Sequence, residues 1–436
     1  MKTLQKLSVI SFCLLMVYAC KDEDKNNNGG DDGTYPSTFS EQARSPKKGV
    51  SFTFQVKGDV DALAPAISWS YNWAINQSEW LDAPFAEHKL DFFPMAWNGV
   101  NETELRKYIA LHPECKYILG YNEPNLTGAE SCNLTPQQAA ERWPKLKAIA
   151  NELNLKIISP AVNYGNMTGY EDPVKWLDDF FKLVPLSDVE GIAIHCYMPS
   201  AAAMKTFIER FKKYKKPIWV TEFCAYDGNS VTLASQMKYM CDIISYMEAD
   251  PDVLRYAWFI PRNDEATTAY PYMHLLTERP NELTNLGKVF VNMSTQDKNL
   301  WYIVGQRIEA EHFNATCVSD SIGASGFMSG PSMRPTTDEE GTLELFDFVP
   351  KQWVEYQINI PVTKTYTLTT RYACFRDSKA DVFIDGNEVT TISYPKTGQE
   401  YKWDTNATNI QLSKGKHILR MKVTEGVLCL NWLSIQ

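Results

Sequence analysis

With 436 residues, 44% hydrophobic and 12% aromatic, the chain can bury a large core and divides by length into two or three domains. Its net charge of −10 speaks against a polyanionic partner such as nucleic acid and suits a neutral polymer. Among its 12 Trp and 22 Tyr, most of them core, are aromatic faces of the kind that stack on sugar rings.

The first segment reads as an address. Lys2 and Lys6 precede an apolar run, 7–18, too short to span a bilayer as a helix. The following Val17-Tyr-Ala-Cys20 resembles the cleavage site of a bacterial lipoprotein, which implies removal of residues 1–19 as a signal peptide and lipid on Cys20. Lys21-Asp-Glu-Asp24 resembles the acidic export tag of Bacteroidetes surface lipoproteins. The implied location is the bacterial outer membrane, held by the lipid and facing the cell surface. Residues 20–47, rich in Asn, Asp, Gly and Ser, carry too little apolar surface for a core and are expected to form a flexible tether.

From residue 48 the pattern becomes regular. Strand-like runs occur at 49–54, 67–73, 91–97, 117–121, 156–161, 191–197, 217–223 and 256–260. Stretches of helical spacing lie between them, among them 102–111, 136–153, 173–183, 201–214 and 235–248, with a last one around 288–292. Eight strand and helix alternations over 48–295 predict an α/β fold, a (β/α)8 TIM barrel, with its active site at the C-terminal ends of the strands.

Two of those strand ends carry a lone carboxylate. The apolar run from Tyr117 is stopped by Pro124 and delivers Asn122 and Glu123 where regular structure ends, and a second run ends on Glu222. Two such glutamates are what retaining glycoside hydrolysis requires. One, protonated, gives a proton to the leaving oxygen; the other, ionised about 5 Å away, attacks the anomeric carbon.

Counting strands puts Glu123 at the end of the fourth and Glu222 at the end of the seventh, as in the large clan of retaining glycosidases. Within that clan, 48–295 resembles glycoside hydrolase family 128, endo-β-1,3-glucanases, through seven pieces in matching order. They are Lys48-Gly-Val50, Trp69-Ser-Tyr-Asn-Trp73, Phe93-Pro-Met-Ala-Trp97, Leu119-Gly-Tyr-Asn-Glu-Pro124, Ser159-Pro-Ala161, Ile194-His-Cys-Tyr197 and Trp219-Val-Thr-Glu-Phe223. The resemblance implies Glu123 as acid/base and Glu222 as nucleophile, with the acid held protonated by burial and by repulsion from its neighbour. Asn122 would bond the sugar 2-hydroxyl. His195 and Tyr197, two apart on the sixth strand, share a face, and the Tyr197 hydroxyl would orient Glu222. Trp258, ending the eighth strand, would floor the cleavage point, while Asn72, Trp73, Trp97 and Tyr164 would line the substrate site. The expected activity is cleavage of internal β-1,3-glucosidic bonds with retention. The alternatives are another β-linked glycan, β-1,4 or β-1,6, or a non-catalytic glycan-capture lipoprotein.

No His-x-x-x-His pair or Cys-x-x-Cys cluster suggests a transition-metal site, no glycine loop suggests phosphate, and no cofactor is expected for catalysis. Apart from Cys13 in the signal and Cys20, eight cysteines remain; an exported chain permits disulfides, but spacing does not give their connectivity.

Beyond residue 304 short β-rich runs alternate with turns, at 352–360, 366–372, 380–384, 417–423 and 427–435, which predicts an all-β sandwich (jelly-roll) over 304–436. Ile308-Glu-Ala-Glu-His312, Trp353-Val-Glu-Tyr356, Val382-Phe-Ile-Asp-Gly386, Gly415-Lys-His-Ile-Leu-Arg420 and Leu430-Asn-Trp432 resemble the family 6 carbohydrate-binding module. That resemblance implies a structural calcium on Glu309 and Glu311 and an aromatic clamp from Tyr372 and Trp403. It departs from the pattern at Cys429, where many members carry a sugar-binding Asn. A monomer acting on β-glucan is expected.

Overall fold

Eight parallel strands, β1 Lys48–Ser51, β2 Trp69–Tyr71, β3 Asp91–Phe92, β4 Tyr117–Ile118, β5 Lys156–Ile157, β6 Ile192–Cys196, β7 Ile218–Phe223 and β8 Val253–Trp258, form the first domain. In this computed structural model the described residues are 38–39, 41–226, 230–262, 272–322 and 326–436. The signal segment and Cys20 lie outside them. Strands β3-β2-β1-β8-β7-β6 make one sheet and β4-β5 another, and bridges from Met95 to Leu119 and from Ile158 to Gly191 join the two into a closed ring. The expected barrel is the observed one. Most of its strands are shorter than the apolar runs, because the last residues of those runs leave the sheet to build the mouth; β7 keeps its run's end at Phe223, and β8 starts earlier than its run, at Val253.

Helices α1 Lys57–Leu63, α2 Asp82–His88, α3 Glu102–Leu111, α4 Pro136–Glu152, α5 Pro173–Leu183, α6 Ala201–Glu209, α7 Leu233–Ala249 and α8 Asn285–Asn292 surround the strands. Asn101, Thr135, Asp172, Ser200, Thr232 and Thr284 each cap a helix by accepting a first-turn N–H. Each such cap contributes about 1 kcal/mol and fixes where a loop of the mouth ends. Inside the barrel the Trp219 ring lies 5.6 Å from Trp69, 5.6 Å from Phe93 and 5.0 Å from Tyr117, an aromatic layer contributed by four strands or their ends. The Arg255 guanidinium lies over Phe93 and Trp219, so the odd positions of β8 face inward.

The second domain contains β9 Tyr302–Ile303, β10 Gln306–Glu309, β11 Ala315–Thr316, β12 Ser332–Pro335, β13 Leu343–Phe348, β14 Trp353–Ile360, β15 Lys364–Ala373, β16 Ser378–Ile384, β17 Asn387–Tyr394, β18 Asp404–Leu412, β19 Gly415–Glu425 and β20 Leu428–Ile435. One sheet joins β10, β20, β13 and β12, with β15 and β18 beyond β20; the other runs β9-β14-β19-β16-β17, with β11 on β14. Alternation of buried and exposed positions along β15 and β16 shows why the run pattern was readable.

One expected boundary moves. The tether does not extend to residue 47: the backbone of Thr38–Phe39 pairs with Gln306–Arg307, and Arg44 donates to the carbonyls of Ala64, His88 and Lys89 at 2.9–3.1 Å. Those acceptors include carbonyls at the end of α2 that no helical N–H can reach, which is why one arginine can order a polar segment. The interval 296–303, between the two expected domains, is packed as well. Gln296 is buried and donates to the Ser245 carbonyl at 2.7 Å. Asp242 of α7 accepts from Ser329 Oγ at 2.7 Å and Gly330 N at 3.0 Å, and Met333 N contacts Cys241 Sγ at 3.3 Å. Barrel and sandwich therefore share a buried seam. The eight cysteines among the described residues are buried free thiols.

Candidate active site

The ends of β2, β4, β6 and β7 converge on an open cavity of about 750 Å³. On β7, Val220 pairs with Ile194 but Glu222 pairs with His195, leaving Thr221 as an extra residue. That bulge lets both Trp219 and Glu222 face the barrel interior, which simple alternation forbids. Glu222 then meets three donors: Trp73 Nε1 at 2.7 Å and Tyr71 OH at 3.1 Å on Oε1, and Tyr197 OH on Oε2. An indole N–H cannot accept, so Oε1 must be the acceptor of that bond. Burial pushes the Glu222 carboxyl above its ordinary range; His195 opposes this, Glu123 adds to it, and the Tyr197 and Trp73 donors pull it back toward the anion.

Glu123 leaves β4 in a left-handed conformation, φ 45°, between a strand end and Pro124, and Trp73 leaves β2 at φ 63°. Side chains rarely occupy this region, and here it turns both into the mouth. Glu123 Oε1 accepts from Asn163 Nδ2 at 3.2 Å and lies 2.9 Å from His195 Nδ1, which is 3.3 Å from Glu222 Oε2. Ligand-type atoms of Glu123, His195 and Glu222 all fall within 4.8 Å of one another. Burial lowers the pKa of His195, but the two carboxylates outweigh it and the net shift is upward. The deeper burial belongs to Glu222, whose side chain is 6% exposed against 13% for Glu123.

The model of the glycosyl hydrolase catalytic core matches residues 49–290, more than half the chain. A solved endo-β-1,3-glucanase of GH128 subgroup II from Pseudomonas viridiflava is 32% identical, with 57% of this chain and 98% of that one covered and a TM-score of 0.53. The chain belongs to glycoside hydrolase family 128. A second subgroup II endo-β-1,3-glucanase, from Sorangium cellulosum, is also 32% identical, covering 56% of this chain and 98% of that one with a TM-score of 0.51. Alkali-sensitive linkage protein 1 of Schizosaccharomyces pombe is 23% identical over 235 residues, 52% of this chain; the chain spans 40% of that relative's length. Residues 325–436 match the family 6 carbohydrate-binding module.

In this family 128 domain the cavity gathers Trp73, Trp97, Asn122, Glu123, Tyr197 and Glu222, all named from sequence. Asn122 spends its amide nitrogen on the Glu130 carbonyl at 3.0 Å, while its buried Oδ1 has no donor among the described residues and is available to a hydroxyl. His195 touches both glutamates from behind rather than lining the cavity.

Three expected residues fall elsewhere. Trp258 is fully buried, donates to the Met273 carbonyl at 2.8 Å and packs on Phe223, outside the barrel wall. Because Arg255 faces inward, position 258 faces outward and Phe259 enters the cavity instead, 5.5 Å from Tyr197 and 6.0 Å from Trp73. Asn72 closes a local turn, its Oδ1 accepting from Ala74 N at 3.2 Å and its Nδ2 donating to the Asn76 carbonyl at 3.2 Å. Tyr164 is exposed, tilted against Phe207 with ring centroids 5.0 Å apart and bonded by Arg210, next to the cavity residue Asn163 but not part of the lining. Sequence reading missed Tyr71, Asn163 and Phe259. Tyr71 was findable, since it lies two residues before Trp73; Asn163 sits in a loop with no periodic signal.

In the sandwich, Tyr372 cannot clamp a sugar: it is 2% exposed, packs on Tyr394 and donates to the Pro395 carbonyl at 3.2 Å. Trp403 is half-buried with its Nε1 on Thr337 Oγ1, whereas Phe375 and Tyr401 are the exposed aromatics of these loops. Cys429 is buried against Arg334. At the acidic pair, Glu309 Oε1 lies 2.8 Å from Arg307 Nε, and Arg307 is also paired with Glu340 at 2.6 Å. Glu311 is fully buried; one oxygen accepts from Leu343 N at 3.1 Å, but Oε2 has no donor among the described residues, and neither has the buried Oδ1 of Asn431. Burial and the neighbouring Glu309 push the Glu311 carboxyl well up. Two buried oxygens without donors beside an acidic pair fit a hard cation such as calcium.

Proposed function

We propose that this glycoside hydrolase is a retaining endo-β-1,3-glucanase carried on a lipid anchor at Cys20 of the outer membrane. The observation that carries the reaction type is the Glu123 and Glu222 pair, with oxygen atoms within 4.8 Å, near the roughly 5 Å that double displacement needs and short of the roughly 6.5–9.5 Å of an inverting enzyme. Three donors hold Glu222 as an anion aimed at the anomeric carbon, and Glu123 protonates the leaving oxygen, then takes the proton of the incoming water. The β-1,3 linkage and endo action rest on the subgroup II relatives. The sandwich is read as a β-glucan-binding module using Phe375 and Tyr401, with Glu309, Glu311 and Asn431 supplying oxygens to a structural calcium.

Incubating the purified protein with linear β-1,3-, β-1,4- and β-1,6-glucans and following reducing ends and product size tests linkage and endo action, and proton NMR of the first anomer tests stereochemistry. A β anomer released early from β-1,3-glucan is the expected outcome. An α anomer would overturn retention, and release from another glucan alone would reassign the substrate. Membrane fractionation of Cys20→Ser, expected to be released, tests the anchor.

A further inference from the structure

Asn163, in the loop two residues past the β5 run, stands between two loops of the mouth. Its side-chain amide cannot be turned either way: Tyr164 N donates to Asn163 Oδ1 at 2.8 Å, so the atom facing Glu123 Oε1 at 3.2 Å is the donor Nδ2. Its backbone is gripped by Asn125, two residues beyond Glu123 and fully buried. Asn125 Nδ2 donates to the Asn163 carbonyl at 2.7 Å and to the Tyr170 carbonyl at 3.2 Å, and Asn163 N approaches Asn125 Oδ1 at 3.4 Å. One side-chain amide thus pairs with both backbone groups of Asn163. The approach is tight: a Cβ on Gly165 would lie 2.3 Å from the Asn125 carbonyl oxygen and 2.5 Å from Asn125 Nδ2.

Both side-chain nitrogens that reach Glu123, Asn163 Nδ2 and His195 Nδ1, fall on Oε1. We propose that Asn163, clasped by Asn125 over Gly165, is a positioning residue that makes Oε1 the permanent acceptor of Glu123 and so keeps the transferable proton on Oε2, toward the substrate. This rests on the glucanase reading. In the first step the Oε2–H bond breaks as the leaving oxygen takes that proton; the C1–O electron pair stays on the leaving oxygen, and a Glu222 oxygen bonds C1. In the second step Oε2 receives a proton from water as its oxygen displaces Glu222. A donor on Oε1 serves both steps, since it bonds the carbonyl oxygen of the acid and the charged oxygen of the base.

The test compares Asn163→Ala and Asn163→Asp with wild type on a laminari-oligosaccharide, whose leaving sugar needs a proton, and on a dinitrophenyl β-laminaribioside, whose leaving group does not. Asn163→Ala should lose at least about tenfold in kcat/KM on the oligosaccharide and stay within about twofold in kcat/KM on the aryl glycoside, because kcat/KM reports the first step alone. Asn163→Asp preserves size and the Tyr164 N–H bond but sets a carboxylate against Oε1, so the alkaline limb of its pH profile should move up by about one unit or more. The other groups acting on Glu123 are unchanged in that variant: His195 on β6, Glu222 on β7, the Tyr71 and Tyr197 hydroxyls, the Cys132 thiol, and Glu130 across the cavity. Equal losses on both substrates with an unmoved alkaline limb overturn the positioning role. Wild type cleaving neither substrate strikes the glucanase reading itself.

Discussion

The barrel mouth and the sandwich interior each bury a pair of glutamates, and they treat them differently. In the mouth, Glu222 has three donors and Glu123 is met by two side-chain nitrogens, and the space in front of them is open. In the sandwich, Glu311 is sealed, with one oxygen lacking any donor among the described residues, and Glu309 faces a fully buried Arg307. On the reading proposed above, identical side chains would serve reactivity in one place and cohesion in the other. Damage to the first should cost rate and spare stability, and damage to the second should do the reverse.

The largest effect expected is from Glu222→Gln, which keeps the shape and removes the nucleophile: kcat should fall by about 10⁴-fold or more while glycan binding survives. Its melting temperature should hold or rise, because the folded state no longer carries a buried carboxylate whose pKa burial pushes up. Residual hydrolysis near the wild-type rate would break the contrast on the barrel side. Glu123→Ala should cost about 10²–10⁴-fold on natural glycan, spare substrates with activated leaving groups, and regain rate with azide, which enters the space left by the carboxyl.

Smaller and opposite effects belong to the seam and the sandwich. His312, buried with Nε2 3.2 Å from the Asn292 carbonyl at the end of α8, has its pKa lowered by burial to about 4 from 6.5. Because the folded value lies below the unfolded one, its contribution is present above pH 6.5 and is lost as pH falls toward 4. The loss amounts to about 3 kcal/mol across that window. Denaturant unfolding at pH 4.5 and 7 should show it, and His312→Asn should flatten the dependence. Chelation of calcium should lower the melting temperature by about 2–4 °C, a loss near 1 kcal/mol, with kcat on soluble glucan unchanged. A chelator that left melting untouched would leave Arg307 as the cation of that site.

Much of this was readable in the chain. Alternating apolar runs and helical stretches gave the barrel, and a carboxylate where an apolar run meets Pro124 marked Glu123 before any fold was known. What stayed hidden depended on single-residue backbone events. Alternation from Trp219 would send Thr221 and Phe223 inward, and only the bulge at Thr221 turns Glu222 to the mouth. Trp258 was misplaced for the complementary reason: its parity is set by Arg255, a charged residue that sequence reading puts outside a barrel rather than within it. Asn163 takes its place from Asn125, 38 residues away, a pairing with no period to reveal it. The resemblance to the family 6 module implies Tyr372 as a clamp aromatic, yet resemblance at that level says nothing of whether a ring faces the sandwich interior.

The short strand Thr38–Phe39 also determines how mechanical load would enter the molecule. A pull on the chain ahead of it acts first on a two-residue parallel pairing with β10, in the sandwich, then on Gln42 and Ala43, bonded to Met293, Thr295 and Asp297, and then on Arg44, whose guanidinium grips three carbonyls of the barrel. None of these contacts involves a residue of the mouth. Drag on a grazed polymer would thus be borne by the sandwich edge and the barrel's outer turns, and the spacing of the two glutamates would be the last thing to yield.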